Sequence, residues 1–542
     1  MKTISPETRE KIGRLLHGSG FWNRMFANTE EQVELLHDIG FSGESAAIPE
    51  IAWLLVDASG PVWRAAAEAV HRLLATLAPL DLAALDQRIR EVGSYDREVD
   101  RRWRKLRPSD LSRFASSEFA VSLLGLASFH SSGYAREAAV EELSALDSGQ
   151  ELPFLLIRLN DWVIPVREAA AKAVNARLRP EYAQHFLRDL RLVLRLKSCG
   201  RANRALVDII CGLLRRAECQ EVLQAGMKSS DRALRRASFQ LAAGAESSAR
   251  VVIIKTALTD TDPVARAWAA RQFLPELPAE ELSTVVVPML ADRFMPVRRD
   301  ALWALATKCP DFAGEPLKRA LLDSHVGMRE VARHFLAADR HLDIRQFYLD
   351  AVQRREARLL AAAIRGLGET GRPEDASVVS EFLSAPKPSL RRAATYAIGK
   401  LDAEHFVPQL MQRLADETPG VSREALKAML PKARQHSLDE YWELFANDKR
   451  VFVRRNALVL MLRFGKWEKL APLLLACADE DKRLAEFATK ALHDWSFHYN
   501  SSFAEPTRQD FENIESALQK VETKLRRGMA AEVRACLKIY FQ

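Results

Sequence analysis

Small and apolar residues recur at helical spacing along this chain, each group following a polar pair that returns about every 31 or 32 residues. The pair is an aspartate and, six positions later, an arginine, with small residues three and six positions after the arginine. Asp161, Arg167, Ala170 and Ala173 form one such set. Small side chains at this spacing lie on one helical face, where a second helix can approach closely. The pattern predicts a helix that begins near each arginine, with the aspartate in the turn before it.

A repeat of this length is typical of stacked two-helix units, each of which buries its apolar face against its neighbours. The arginine column comprises Arg136, Arg167, Arg235, Arg266, Arg298, Arg329, Arg358, Arg391 and Arg454. The aspartate column comprises Asp57, Asp161, Asp260, Asp292, Asp323, Asp416, Asp448 and Asp479. Because a catalytic site needs one constellation rather than one in every unit, we interpret this Asp–Arg ladder as structural. The aspartate would cap the helix and the arginine would bond to neighbouring turns.

Two segments carry a resemblance to a known family. Pro165–Val166–Arg167 and Pro296–Val297–Arg298 resemble the start of the second helix in HEAT repeats, including the PBS-lyase-type group. The resemblance extends over about residues 45 to 495. It implies an all-α fold, an α-solenoid of about thirteen stacked HEAT-like two-helix repeats with helical caps. We expect an N-terminal cap over residues 1–45, the array over residues 46–495 with a diverged or inserted unit near 77–112, and a C-terminal cap over residues 496–542.

The two ends of the chain depart from the repeat. The N-terminal segment has its aromatic residues at Phe21, Trp22 and Phe26. The tail has apolar residues at alternating spacings of three and four, namely Phe511, Ile514, Leu518, Val521 and Leu525. A helix of this kind is either a docked cap that closes the array or a partner-binding coiled-coil helix.

Composition narrows the class of protein. Of the 542 residues, 48% are hydrophobic and 28% are charged, as in soluble proteins. No run approaches the roughly 18 apolar residues of a membrane-spanning helix, and the N-terminus lacks an apolar signal core, so we expect a cytoplasmic protein with no membrane partner. The six scattered cysteines form no CxxC pair, as expected of free thiols in a reducing compartment. The Arg- and Ala-rich usage favours a bacterial source.

Signatures of catalysis and cofactor binding are absent from the sequence. It contains no GxxxxGK[ST], GxSxG or GxGxxG motif, and its twelve histidines lack the spacing of metal ligands. We therefore expect no enzyme activity, no cofactor, no metal and no small-molecule substrate.

The position directly after the ladder arginine varies in residue type, unlike a structural position. It is arginine at Arg236, Arg299, Arg392, Arg423 and Arg455. The last three fall in consecutive units, so their guanidiniums would form a stripe on helices about 10 Å apart. Such a stripe could bind phosphates or an acidic protein. The alternative is a solvated face whose arginines pair with neighbouring carboxylates.

Two further segments are dense in basic residues. The first comprises Arg101, Arg102, Trp103 and Arg104, in which the indole could stack on a base. The second comprises Arg188, Arg191 and Arg195, at i, i+3 and i+7 on one predicted helical face. Both allow electrostatic contact with nucleic acid, although acidic residues interrupt them.

These observations favour a binding protein. The leading hypothesis is a non-catalytic scaffold or adaptor that holds one or more partner proteins of a multi-protein complex on the curved surface of a HEAT-repeat solenoid. The alternative is a nucleic-acid-binding protein with a basic concave face, resembling HEAT-like alkylpurine DNA glycosylases. A chaperone-like lyase for chromophore attachment is a third hypothesis, suggested only by the repeat style. The net charge of +7 and the pI near 9.0 permit an anionic partner without requiring one.

Overall fold

The protein is built from helices. The computed structural model describes residues 3–17, 29–91, 98–244, 249–337, 342–499, 502–525 and 528–540. Over these residues it consists of α-helices and short 3-10 helices, with no β-strand. The chain divides into two compact units, Met1–Phe273 and Leu274–Gln542. The helical architecture confirms the predicted fold class.

The first unit contains nineteen of the described α-helices. They are α1 Pro6–His17, α2 Thr29–Phe41, α3 Ile48–Ile51, α4 Leu54–Asp57, α5 Gly60–Ala75, α6 Pro79–Glu91, α7 Glu98–Trp103, α8 Leu111–Ala115, α9 Ala120–Ala127, α10 Gly133–Ser144, α11 Leu152–Arg158, α12 Ile164–Asn175, α13 Ala183–Arg188, α14 Leu190–Leu196, α15 Arg204–Arg215, α16 Gln220–Met227, α17 Arg232–Ala243, α18 Ala249–Leu258 and α19 Pro263–Phe273.

The second unit contains sixteen of the described α-helices. They are α20 Ala279–Leu290, α21 Met295–Lys308, α22 Pro310–Leu321, α23 Val326–Leu336, α24 Ile344–Arg354, α25 Leu360–Thr370, α26 Ala376–Ser380, α27 Pro388–Leu401, α28 Val407–Leu414, α29 Pro419–Met429, α30 Leu438–Asn447, α31 Val451–Met461, α32 Leu470–Cys477, α33 Lys482–Phe497, α34 Arg508–Val521 and α35 Met529–Lys538.

Short 3-10 helices precede or extend several of these elements. They are Ser45–Ala47, Pro108–Asp110, Pro180–Tyr182, Ala217–Cys219, Pro373–Asp375, Glu381–Ser384, Leu430–Gln435 and Glu522–Lys524.

Consecutive helices pack against each other in pairs, and each pair packs on the next within its unit. In the second unit the second helices of successive pairs, α25, α27, α29 and α31, pack one on another. Small buried side chains make this contact close: Ala393, Ala394 and Ala397 of α27 are fully buried. Solvent is therefore excluded along a continuous layer of second helices, as a repeat array requires.

The starts of the second helices follow from local chemistry. Proline occupies the first turn of α12, α21, α27 and α29. Its fixed φ suits a first helical turn, and the N–H that it lacks would have no partner inside the helix. These prolines and the ladder aspartates together fix where each second helix begins.

The two predicted caps are covered by the structure to different extents. Phe21, Trp22 and Phe26, expected in an N-terminal cap, lie outside the described residues. In the tail, Ile514, Leu518 and Val521 of α34 are buried, and the helix packs against α32. Three of the five apolar residues of the predicted stripe are therefore covered by the chain itself, and Phe511 and Leu525 are half-buried.

A bilayer-crossing helix needs both length and apolar character, and none of the described helices has both.

Candidate functional site

Each paired ladder arginine reaches in two directions. In most of them Nη1 donates to a carbonyl six residues earlier, closing the turn inside its own pair: Arg298 donates to Asp292 O at 2.8 Å and Arg329 to Asp323 O at 2.7 Å. Arg454 is the exception, because its Nε donates to Phe445 O, nine residues earlier, at 2.8 Å. In five of the arginines the guanidinium also binds a carboxylate 25 residues later, in the following pair, through Nη2 and usually Nε as well. These ion pairs are Arg136–Asp161, Arg235–Asp260, Arg298–Asp323, Arg391–Asp416 and Arg454–Asp479.

The ladder aspartates also close the turns that precede the second helices. Asp161 Oδ1 accepts the N–H of Val163 at 3.0 Å, and Asp416 Oδ1 accepts that of Thr418 at 2.9 Å. Burial raises the pKa of the Asp416 carboxyl, but the hydrogen bonds from Arg391 and Thr418 outweigh it, so the pKa lies below its ordinary value. The contacts confirm the structural interpretation of the ladder.

Three members of the columns depart from the expected arrangement. Arg358 was expected to continue the ladder, and that prediction is wrong: it is exposed in the turn before α25. Arg329 instead binds Glu369 of α25, with 3.0 Å between Nε and Oε2. For Asp448, the ladder position of the preceding unit is occupied by Ser422 rather than by an arginine. Asp448 instead binds Arg450 of its own turn.

The position after the ladder brings three predicted arginines onto neighbouring helices of the second unit. Arg392 of α27 is exposed, although its Nη2 lies 3.1 Å from Glu424 Oε1. Arg423 of α29 is exposed and has no ion pair among the described residues. Arg455 of α31 is exposed and lies 4.9 Å over the ring of Phe487.

Two further cations extend this surface. Arg365 of α25 is half-buried, with its guanidinium 5.5 Å over the ring of Tyr396. Burial lowers the pKa of Arg365, and the charge of Arg392 lowers it further. Lys427 is exposed one turn after Arg423. We call the set Arg365, Arg392, Arg423, Lys427 and Arg455 the basic face.

The other predicted arginines of this position are held by carboxylates. Arg236 Nε lies 2.9 Å from Asp262 Oδ2, in the first unit. Arg299 Nη2 lies 3.0 Å from Asp300 Oδ1, in the second unit. Neither arginine belongs to the basic face. The arginines at the position after the ladder therefore do not all lie on one surface.

The segment around Trp103 does not form the expected surface. Trp103 is 7% exposed, and its ring packs edge-on against His130 at 5.6 Å. Arg102 is buried, with its guanidinium 4.6 Å over Trp53. The prediction that Trp103 stacks on a base is therefore wrong, because its ring belongs to the core. Arg101 is exposed and Arg104 is half-buried.

The segment from Arg188 to Arg195 is divided between two helices. α13 ends at Arg188, α14 begins at Leu190, and Asp189 lies between them with its carboxylate buried. Arg188 binds this carboxylate at 2.7 and 3.0 Å, so it serves the local fold. The predicted single face is wrong because of this break; only Arg191 and Arg195 are exposed together on α14.

Repeat spacing missed two features of the second unit. Lys427 lies four residues after Arg423, one helical turn beyond the aligned position, whereas Arg365 lies six residues after Leu359, so no single shifted column contains both. Glu369 binds both Arg329 and Arg333, and no repeating aspartate marks it.

Comparison with known proteins supports the class of fold. The family model described as HEAT repeats matches residues 347–430, from α24 to the end of α29. This match confirms the HEAT-repeat resemblance and includes the helices that carry Arg365, Arg392, Arg423 and Lys427. No curated protein matches the chain significantly.

Solved structures give weaker likenesses. Importin beta is 12% identical with a TM-score of 0.33, covering 98% of this chain and 74% of that one. A C-terminal fragment of the Chaetomium thermophilum cohesin loader SCC2 is 13% identical with a TM-score of 0.34, covering 92% of this chain and 45% of that one. At these identities and TM-scores they carry no argument about what this chain binds.

Proposed function

We propose that this protein is a non-catalytic scaffold of the HEAT-repeat type, and that the basic face holds an acidic segment of a partner protein. The observation that carries the proposal is Arg423, an exposed guanidinium without an ion pair among the described residues. The fold does not require it, since Ser422 and Asp416 make the contacts that support this turn. An unpaired arginine beside a structural position is available to a partner.

The concentration of positive charge on the basic face also supports a partner-binding site there. The pKa of Arg365 is lowered by burial and then by Arg392, so bringing these cations together costs free energy in the unbound protein. A partner carboxylate removes that cost, and arginine binds carboxylates through two parallel hydrogen bonds. Glu424 neutralises only part of the charge, because its single carboxylate contacts both Arg392 and Lys427.

A nucleic acid is the alternative occupant of a basic surface. A single strand would be bound through free aromatic faces on which its bases stack. On the basic face the ring of Phe487 lies under Arg455 and that of Tyr396 under Arg365. Trp103 is buried. The aromatic surfaces are therefore occupied, which favours a protein partner over a single-stranded nucleic acid.

The test is affinity capture from the source cell, with and without nuclease, using wild-type protein and charge-reversal variants. The triple variant Arg392→Glu, Arg423→Glu, Arg455→Glu should lose the protein partner and keep its circular-dichroism spectrum. Calorimetry with the purified partner should then show affinity weaker by at least about tenfold.

Two controls make the result specific. The triple variant Arg319→Glu, Arg354→Glu, Arg358→Glu has the same change in net charge at exposed sites of the second unit and should bind as wild type. The double variant Arg423→Glu, Arg455→Glu leaves the Arg392–Glu424 pair intact. A partner bound equally by all variants contradicts this site, and capture that nuclease abolishes supports the nucleic-acid alternative.

A further inference from the structure

A cleft of about 490 Å³ lies in the second unit, beside a cluster of aromatic side chains near the C-terminus. Lys466 and Lys469, which follow α31, line one side. Asp494 and Trp495 of α33 and His498 after it line the other. The volume falls in the range of about 300 to 1,000 Å³ that is typical of small-molecule sites. None of the lining residues belongs to the basic face.

The ammonium of Lys466 is held against aromatic rings. Its Nζ lies 3.9 Å from the ring centre of Tyr499 and 4.8 Å from that of Trp467, and it donates to Ser502 O at 3.2 Å. Burial lowers the pKa of Lys466, and it pairs with no carboxylate among the described residues. The contacts with the two rings and the hydrogen bond to Ser502 therefore fix the position of this positive charge.

Lys469 carries a second positive charge, and its ammonium has even fewer polar contacts than that of Lys466. Its side chain is half-buried, burial lowers its pKa, and its ammonium has no hydrogen bond or ion pair in the described part of the chain. By contrast, the buried Arg136 and Arg391 each bind a carboxylate. A cation taken partly out of water without a partner costs free energy, which an anion entering the cleft would offset.

The opposite wall contains an apolar surface that the fold already holds in place. Trp495 Nε1 donates to Lys466 O at 2.8 Å, and its ring meets the rings of Trp467 and Tyr499 edge-on at 5.7 and 5.6 Å. Leu462 adds an aliphatic surface to the same lining. A ligand with an apolar body thus finds a fixed wall beside the two ammoniums.

We propose that this cleft binds a small organic anion. Its carboxylate or phosphate group contacts the ammoniums of Lys466 and Lys469, and its apolar or aromatic body contacts Trp495 and Leu462. The single carboxylate of the lining, Asp494, leaves a formal excess of one positive charge from the two lysines. A neutral ligand of the same shape gains less from the lysines, because it carries no negative charge.

Isothermal titration calorimetry with three probes of similar shape tests the proposal: phenyl phosphate, benzoate and neutral benzamide. Phenyl phosphate and benzoate should bind, and benzamide should bind more weakly by at least about tenfold. Lys469→Met should weaken phenyl phosphate binding about tenfold, and Lys466→Met should do the same while its apolar stem preserves the aromatic contacts. Lys449→Met, at an exposed lysine outside the cleft, should bind as wild type.

Thermal denaturation identifies any variant that has lost its fold, and Lys469→Met, outside the aromatic cluster, is then the decisive one. The proposal is overturned if wild-type protein binds neither anion, if benzamide binds as tightly as benzoate, or if folded Lys469→Met binds phenyl phosphate unchanged.

Discussion

His130 occupies the position in its repeat where other repeats have the ladder aspartate, six residues before Arg136. Its Nδ1 accepts the N–H of Ser132 at 3.0 Å, as the aspartates accept theirs, and its Nε2 lies 3.2 Å from Trp103 O. Both nitrogens are therefore satisfied in the neutral tautomer, with the proton on Nε2. Burial lowers the pKa of His130 to about 4 from the ordinary 6.5, and the positive charges of Arg136 and Arg104 contribute to the lowering.

This arrangement predicts how stability depends on pH. Below pH 6.5 the unfolded chain binds a proton at His130 that the folded protein excludes until about pH 4, so the free energy of unfolding falls through that window. Between pH 7.5 and pH 5 the loss from this residue is about 2 kcal/mol. His130→Asn keeps an acceptor for Ser132 and removes the titration. Urea denaturation at both pH values should show the smaller loss in the variant; equal losses contradict the assignment.

Two arginines that share one column of the sequence should differ in their effect on stability. Arg391→Met leaves the buried Asp416 carboxylate with only part of its charge balanced, and we expect a loss of about 3 kcal/mol. Arg358→Met, at an exposed turn position, should change stability by less than about 0.5 kcal/mol. Chemical denaturation of both variants is the measurement, and similar losses would contradict the different placement of the two residues.

At the scale of elements, the closeness of the second helices depends on single glycines. A Cβ added at Gly368 of α25 would lie 2.5 Å from Ala397 Cα and 2.7 Å from its Cβ in α27. Neither atom can move unless one helix moves, so the two helices are packed at a separation that only glycine permits.

Gly368→Ala should therefore destabilise the protein by about 2 kcal/mol, through displacement of α25 from α27. The matched control is Gly314→Ala in α22, where a Cβ meets no atom within 4 Å. It should stabilise by up to about 1 kcal/mol, because alanine favours the helix. Thermal denaturation of the pair distinguishes packing from propensity, and a stable Gly368→Ala protein would mean that the helices can separate at little cost.

The sequence predicted the elements better than their interruptions. Periodic small residues were enough to predict the second helices, because each repeat supplies the same packing partner to the next. The break at Asp189 has no repeating signal: it follows from one buried carboxylate that Arg188 binds. The exposure of Arg358 likewise depends on where α25 begins, and helix starts are less well determined by pattern than helix interiors.

At the scale of the whole molecule, the sequence indicated a binding surface but not a complete one. Arg392, Arg423 and Arg455 were found because they repeat. The cleft beside Lys466 was not, since its aromatic wall comes from Trp495, about thirty residues away and present once. Sites that occur once in an array have no period to reveal them, and only the folded chain brings their parts together.

The net charge of +7 leads to a prediction about rates. If the basic face attracts an acidic partner, the association rate constant should fall about tenfold as salt rises from low ionic strength to several times the physiological value. The dissociation rate should change less. Stopped-flow mixing with the captured partner measures both. Arg423→Glu, Arg455→Glu should flatten the dependence, and a salt-independent association rate in wild type would argue against electrostatic attraction.

The ladder of ion pairs also has a mechanical consequence. Each ion pair connects one helix pair to the following helix pair. A force that pulls on the two ends of a unit therefore acts in full on every one of these connections, because they lie in series. Where Ser422 replaces the arginine, the tie between α29 and α31 is a neutral hydrogen bond from Asn456 Nδ2 to Ser422 Oγ, 2.8 Å long. Under tension the joint between α29 and α31 would open before the neighbouring joint between α27 and α29, which the buried Arg391–Asp416 pair holds.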